Sequence, residues 1–147
     1  MPQEPYAIPF AEASIVREGG DVTIVALGRM VHLVEQAAEE LAGEGIDCEI
    51  VDPRTTSPLD TDTILESVEN TGRLVVVDEA NPRCGFAADV VALVSQEAFG
   101  DLKAPPRMVT PPHTPVPFSP ILEDAYVPSP ANIADAVRAT AGAAAAA

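Results

Sequence analysis

Two short, almost wholly apolar runs stand out along the chain: residues 22–27 (VTIVAL) and 74–77 (LVVV). Neither alternates polar and apolar positions, as a strand with one solvated face would. Continuous runs of this length suit strands covered on both faces of a sheet. Between them, Val31, Val34, Ala37, Ala38, Leu41 and Ala42 recur at helical spacing, with Glu35, Glu39 and Glu40 elsewhere on the turn. That spacing predicts a helix beginning after Gly28 and stopped by Gly43 and Gly45. A strand is predicted from Cys48 to Val51, closed by Asp52-Pro53. Thr61 or Asp62 is placed to cap a helix that runs to about Asn70, with Ile64, Leu65 and Val68 inward and Thr71-Gly72 at its end. The alanine- and valine-rich stretch from Gly85 to about Phe99 reads as a helix, and Arg107 to Val109 as a short last strand. Pro130 at a first helical position opens a final helix through Ala141.

Strands alternating with helices predict an α/β fold, with a mainly parallel sheet and helices on both faces. The strand order does not follow from this pattern. At 147 residues one domain is expected. Residues 1–12, with three prolines before Phe10, form a linker arm; residues 13–141 form the domain, opened by a short edge strand over 13–17; residues 142–147 form an Ala-rich tail. Pro111, Pro112, Pro115, Pro117 and Pro120 prevent long regular structure and place their segment over the surface.

Composition sharpens this picture. Hydrophobic residues make up 47% while aromatics are 4% and Trp is absent, so the core must be built from Val, Ile, Leu and Ala. The net charge of -15 repels phosphate backbones and anionic lipid heads, which argues against nucleic-acid and membrane partners. No apolar run approaches the roughly 20 residues needed to span a bilayer. Residues 1–9 lack the basic and apolar regions of a signal peptide, so a cytoplasmic location is expected. Cys48 and Cys84 form no C-x-x-C pair and read as two buried thiols.

Candidate chemistry is sparse. Gly28 ends a strand before a helix, but no G-x-G-x-x-G accompanies it, and it reads as a tight turn rather than a phosphate site. Asp78-Glu79-Ala80-Asn81 follows a buried strand, where open sheets form ligand crevices. With no His beside it and no second acidic cluster, a loop or subunit contact is the favoured role. Arg54 has the geometry to bind a carboxylate or phosphate, yet more often such an Arg clamps neighbouring loops. His32 and His113 are isolated from other ligand types, which disfavours zinc. Neither a G-x-S-x-G elbow nor a Walker loop occurs. The sequence holds no catalytic constellation and no set of cofactor or metal ligands.

Several motifs in order carry a family resemblance. PEPYAIPFAEASIVREGGDVTIVALG resembles the linker and first strands of the carboxy-terminal domain of 2-oxoacid dehydrogenase beta subunits. VDPRTTSPLDTDTILESVENTGRLVVVDE and the segment from GFAADVV to PANIADAV resemble the rest of that domain, covering about Glu4 to Arg138. The group includes pyruvate, acetoin and branched-chain 2-oxoacid dehydrogenases, with transketolases as wider kin. The resemblance implies a three-layer α/β/α domain whose five-stranded mixed sheet has the order 1-3-2-4-5, strand 1 being antiparallel. It implies that thiamine diphosphate and magnesium belong to an amino-terminal pyrimidine-binding domain and the alpha subunit, so no cofactor ligand carries over to this chain. It further implies an assembly role, with the alpha subunit, a second beta subunit and the subunit-binding domain of the dihydrolipoyl acyltransferase as partners.

Two positions depart from the group's pattern: Lys103 stands where many members have Asp after Leu, and His113 replaces an Asp before T-P-x-P. Interface candidates are therefore Lys103, His113, Val116, Phe118, Arg54 and Glu79. The apolar residues Val116, Phe118, Ile121 and Leu122 are costly to leave in water and mark contact with another surface, that of a second subunit or, in the competing reading, the sheet of their own domain. The competing reading is a stand-alone α/β module that binds a small ligand in the crevice between Gly28 and Glu79.

Overall fold

In the computed structural model, which describes residues 6–142, the two apolar runs become adjacent central strands. The elements follow in the order β1 (Ser14–Arg17), β2 (Val22–Ala26), α1 (Arg29–Gly43), β3 (Cys48–Asp52), α2 (Thr61–Thr71), β4 (Leu74–Val77), α3 (Phe86–Glu97), β5 (Arg107–Val109), α4 (Pro120–Tyr126) and α5 (Pro130–Ala141), with a 3-10 turn at Phe99–Asp101. The sheet order is β1-β3-β2-β4-β5. β1 runs antiparallel to β3 and the other pairs are parallel, as the resemblance implies. Residues 1–5 of the expected arm and 143–147 of the expected tail lie outside the described residues.

The period-2 alternation of a strand assigns side chains to two cores. Val22, Ile24 and Ala26 of β2 share one face with Ile50, Val75 and Val77, and pack against α1 and α5 through Val34, Leu41, Ile133 and Val137. Val25, Val51, Leu74 and Val76 point the other way, onto Ile64 and Val68 of α2 and Val90 and Val94 of α3. Every residue of β2 and β4 is fully buried. Each large aliphatic side chain so placed contributes about 1.5–3 kcal/mol of transfer free energy.

Thr23 is the one polar residue in β2, and its hydroxyl dictates what α2 must offer. Left unpaired, a buried hydroxyl would cost about 1–3 kcal/mol. Thr23 Oγ1 donates to the Ser67 carbonyl at 3.0 Å and lies 2.7 Å from Ser67 Oγ and 2.8 Å from Thr71 Oγ1. Ser67 also donates to the Glu49 carboxylate on β3. The inward face of α2 is thus Ile64, Ser67, Val68 and Thr71, while Leu65 is only half-buried. On α1, Met30 is buried and Ala42, expected inward, is exposed.

Helix ends also correct the sequence reading. The cap of α2 is Asp60, whose side chain accepts from Thr63 N, rather than Thr61 or Asp62. Gly72 closes the helix at φ 73°, a conformation in which a side chain is strained. Pro120 opens a seven-residue helix, α4, which the proline count had obscured. A proline at a first helical position gives up an N–H that has no intrahelical partner anyway.

Both sheet edges are short. β5 has three residues bracketed by Pro105-Pro106 and Pro111-Pro112, and the register of β1 shifts between Ile15 and Arg17. Short strands, prolines and irregular register blunt strand addition. On the opposite face of α5, Arg138 ties the last helix to α1. Its guanidinium donates to Glu44 at 2.9 and 2.6 Å, to Glu40 at 2.6 Å and to Asp135 at 3.0 Å. The hydrogen bond from Arg138 holds the Glu44 carboxyl below its ordinary 4.5 and outweighs the desolvation that opposes it.

Two outcomes follow. Val76→Asp places a charge between two helices and two strands, and is expected to cost several kcal/mol; thermal melting should show either gross destabilisation or no folded state. A folded state melting within a few degrees of the parent would refute the central placement of β4. For the Arg138 cluster the linkage sign is that of a depressed carboxylate: its contribution is present above about pH 4.5 and fades as pH falls through the lowered value. Urea unfolding of the parent and of Arg138→Met should therefore differ at pH 7, and the difference should shrink as the pH falls below 4.5.

Candidate functional site

Because β2 to β5 are parallel, their following loops gather along one edge of the sheet. Three sequence candidates, Arg54, Glu79 and His113, belong to that edge. The loop after β3 is built by its own polar residues. Asp52 Oδ1 accepts from Arg54 N at 2.9 Å, and Arg54 takes the left-handed φ of 59°. Thr55 Oγ1 donates to the Pro58 carbonyl at 2.9 Å and accepts from Ala11 N at 3.1 Å. Asp60 Oδ2 accepts from Ala13 N at 2.8 Å while also capping α2. Burial pushes the Asp60 carboxyl up, but the hydrogen bonds from Ala13 and Thr63 outweigh it and leave the carboxyl below its ordinary value. The D-P-R-T-T-S-P-L-D run therefore fastens the arm to the sheet, with Arg54 left exposed at its tip.

Asp78 plays the matching part after β4. It is 4% exposed. Its carboxylate accepts from Ala80 N at 2.9 Å and from Ala87 N, in the first turn of α3, at 3.3 Å. A carboxylate at a helix N-terminus is favoured both by the free N–H groups and by the dipole. Gly85 is required for packing: a Cβ there would lie 2.5 Å from the Asn81 carbonyl oxygen. Asp78 is thus an organiser of the loop that carries exposed Glu79 and Asn81. Gly28 has φ 59° with open space beside its Cα, so it serves the turn geometry.

His113 is exposed and lines a shallow cleft of about 280 Å³ with Asn81, Thr114 and Pro115, where the loops after β4 and β5 meet. Tyr126 of α4 donates to the Thr114 carbonyl at 3.0 Å and pins that loop. A larger cleft of about 370 Å³ lies between Met108, Val109 and Pro112 on one side and Tyr126, Val127 and Asn132 on the other, with no charged side chain in its lining. Neither Gly28 nor Glu79 lines these clefts.

Lys103 lies at the opposite end of the sheet, just before β5 and beside the residues that lead into β4. Its backbone N–H donates to the Gly72 carbonyl at 2.7 Å, its stem lies over Gly72, and its ammonium donates to the Thr71 carbonyl at 3.2 Å. It therefore caps the negative end of α2. The structure separates the two departures from the group's pattern, Lys103 and His113, onto different ends of the domain.

Two surfaces remain conspicuous. In the first, Phe118 is fully exposed, Ile121 is 82% exposed, and Val116 and Leu122 also face water. The second was not anticipated from sequence: a groove of about 230 Å³ between α2 and the end of α3, rimmed by Asp62, Glu66, Glu69, Glu97 and Asp101 over Leu65. Its signal was available, since Asp62, Glu66 and Glu69 are spaced four and three apart along one helix face. The exposed Phe99 follows directly on Ala98 of its lining.

Of the two thiols expected to be buried, Cys48 is buried and Cys84 is not. Cys48 is buried, which pushes its thiol up to about 11 and leaves it unreactive. Cys84 is exposed, in the tight loop that Asp78 organises. Among the described residues no group of three or more His, Cys, Asp or Glu side chains is placed to hold a metal, and no helix is long and apolar enough to cross a membrane.

Sheet order, two-sided core and chain pattern together define a domain of the transketolase carboxy-terminal class. The chain belongs to the family "Transketolase, C-terminal domain", which matches residues 11–133. More narrowly, it is 66% identical over 140 residues to the acetoin:2,6-dichlorophenolindophenol oxidoreductase subunit beta of Cupriavidus necator, covering 95% of this chain and 41% of that one. It is 44% identical over 138 residues to the pyruvate dehydrogenase E1 component subunit beta of Bacillus subtilis, covering 94% and 42%. Among solved structures, a split-gene transketolase described as an inactive beta4 tetramer superposes with a TM-score of 0.78 at 27% identity, over 95% of this chain and 45% of that one. The chain thus spans about two-fifths of the length of these curated relatives.

Removal of the loop organiser is expected to be costly. Asp78→Ala leaves the buried Ala87 N–H without its acceptor, a loss of about 1–3 kcal/mol, while the N–H of the exposed Ala80 turns to water. Amide exchange should speed up over residues 79–87 with β2 still protected. By contrast, Lys103→Met keeps the apolar stem over Gly72 and removes only the exposed charge, a loss of about 0.3–1 kcal/mol. Denaturant unfolding should rank Lys103→Gly below Lys103→Met.

Proposed function

We propose that this chain is the assembly domain of a thiamine-diphosphate-dependent dehydrogenase beta subunit. The exposed Phe118 carries the reading, together with Val116, Ile121 and Leu122 around it. A contiguous apolar patch of this kind serves a partner. A second beta subunit is the proposed occupant. The related transketolase chain, of which this one covers 45%, is described as a beta4 tetramer, and self-association here would be in keeping with it. The blunted edges of β1 and β5 favour association through side chains over strand addition.

The proposed parent reaction is acetoin cleavage with acyl transfer to lipoyl. The identity of 66% to the acetoin enzyme's subunit, against 44% to the pyruvate enzyme's, supports acetoin over a 2-oxoacid substrate. Thiamine diphosphate and magnesium belong, in this reading, to the rest of the enzyme, where the thiamine diphosphate would supply carbanion stabilisation. The alpha subunit is a further partner. The acyltransferase's subunit-binding domain is assigned to the acidic groove between α2 and α3, whose five carboxylates favour a basic partner. The Lys103 ammonium is engaged by the Thr71 carbonyl, so the reversed charge there is partly absorbed within the domain. Arg54, Glu79 and His113 form a separate contact edge. The two free cysteines suit a reducing, cytoplasmic setting. The small-ligand alternative gains nothing from Gly28 and Glu79, which share no cleft described above.

Sedimentation at physiological ionic strength tests the association. The parent chain should form a dimer or higher assembly at high micromolar concentration, and Phe118→Asp with Ile121→Asp should sediment as a monomer with unchanged circular dichroism. A strictly monomeric parent would overturn the self-association surface. Calorimetric titration with thiamine diphosphate and magnesium tests the division of labour: no specific heat is expected, and a micromolar Kd would overturn it.

A further inference from the structure

We draw no further inference here: the strongest candidate, the exposed apolar side chains Tyr6, Ile8 and Phe10 of the arm and Ile15 and Val16 of β1, has nothing in the structure to show what covers it.

Discussion

Everything in this domain depends on burying β2 and β4 on both faces at once. A strand covered on one side needs one helix layer; these two need a layer on each side, and the chain supplies α1 and α5 for one and α2 and α3 for the other. The demand is strict because these strands are short. Five and four residues give little ladder to spare, so their stability comes from side-chain contact rather than from strand length. Polar groups are admitted only where they are fully answered, as Thr23 is by Ser67 and Thr71.

That constraint also explains which parts of the molecule were legible in its sequence. Strands buried on both faces leave uninterrupted apolar runs, so VTIVAL and LVVV announced the centre of the sheet. The inward face of α2 was harder. Ser67 and Thr71 look like surface residues until Thr23 is known to lie beneath them, and that is a contact across 44 residues of chain. The cap at Asp60 was missed by one or two positions because Asp60, Thr61 and Asp62 all have the right chemistry, and the bonds to Asp60 from Thr63 and from the distant Ala13 are not visible in the local pattern. Helix α4 was hidden by its surroundings, since proline forbids a helix interior but suits its first residue. Strand order came through family resemblance and not from any local pattern.

The surface candidates divide in a way that no linear reading would show. Parallel strands bring Arg54, Glu79 and His113 to one end of the sheet, while Lys103 sits at the other, over Gly72. Asp78, the acidic residue most suggestive of chemistry by position, has both oxygens committed to backbone N–H groups. Carboxylates free to meet a partner stand instead on the outer side of α2 and α3. Asp78 thus holds its loop, while the exposed carboxylates of the α2–α3 groove stand open to solvent.

The exposed patch from Val116 to Leu122 contributes to neither hydrophobic core. Its attachment runs through Tyr126, which is buried and bonded to Thr114, and through the start of α5. Residues on that patch can be exchanged without opening a cavity or stranding a polar group, so folding places almost no restriction on them. On the proposed reading of this surface as an interface, selection for a different partner can then act on it while selection for a stable sheet acts elsewhere. In evolutionary terms the two pressures are separable, which leaves one scaffold free to diversify its quaternary company while its interior stays fixed.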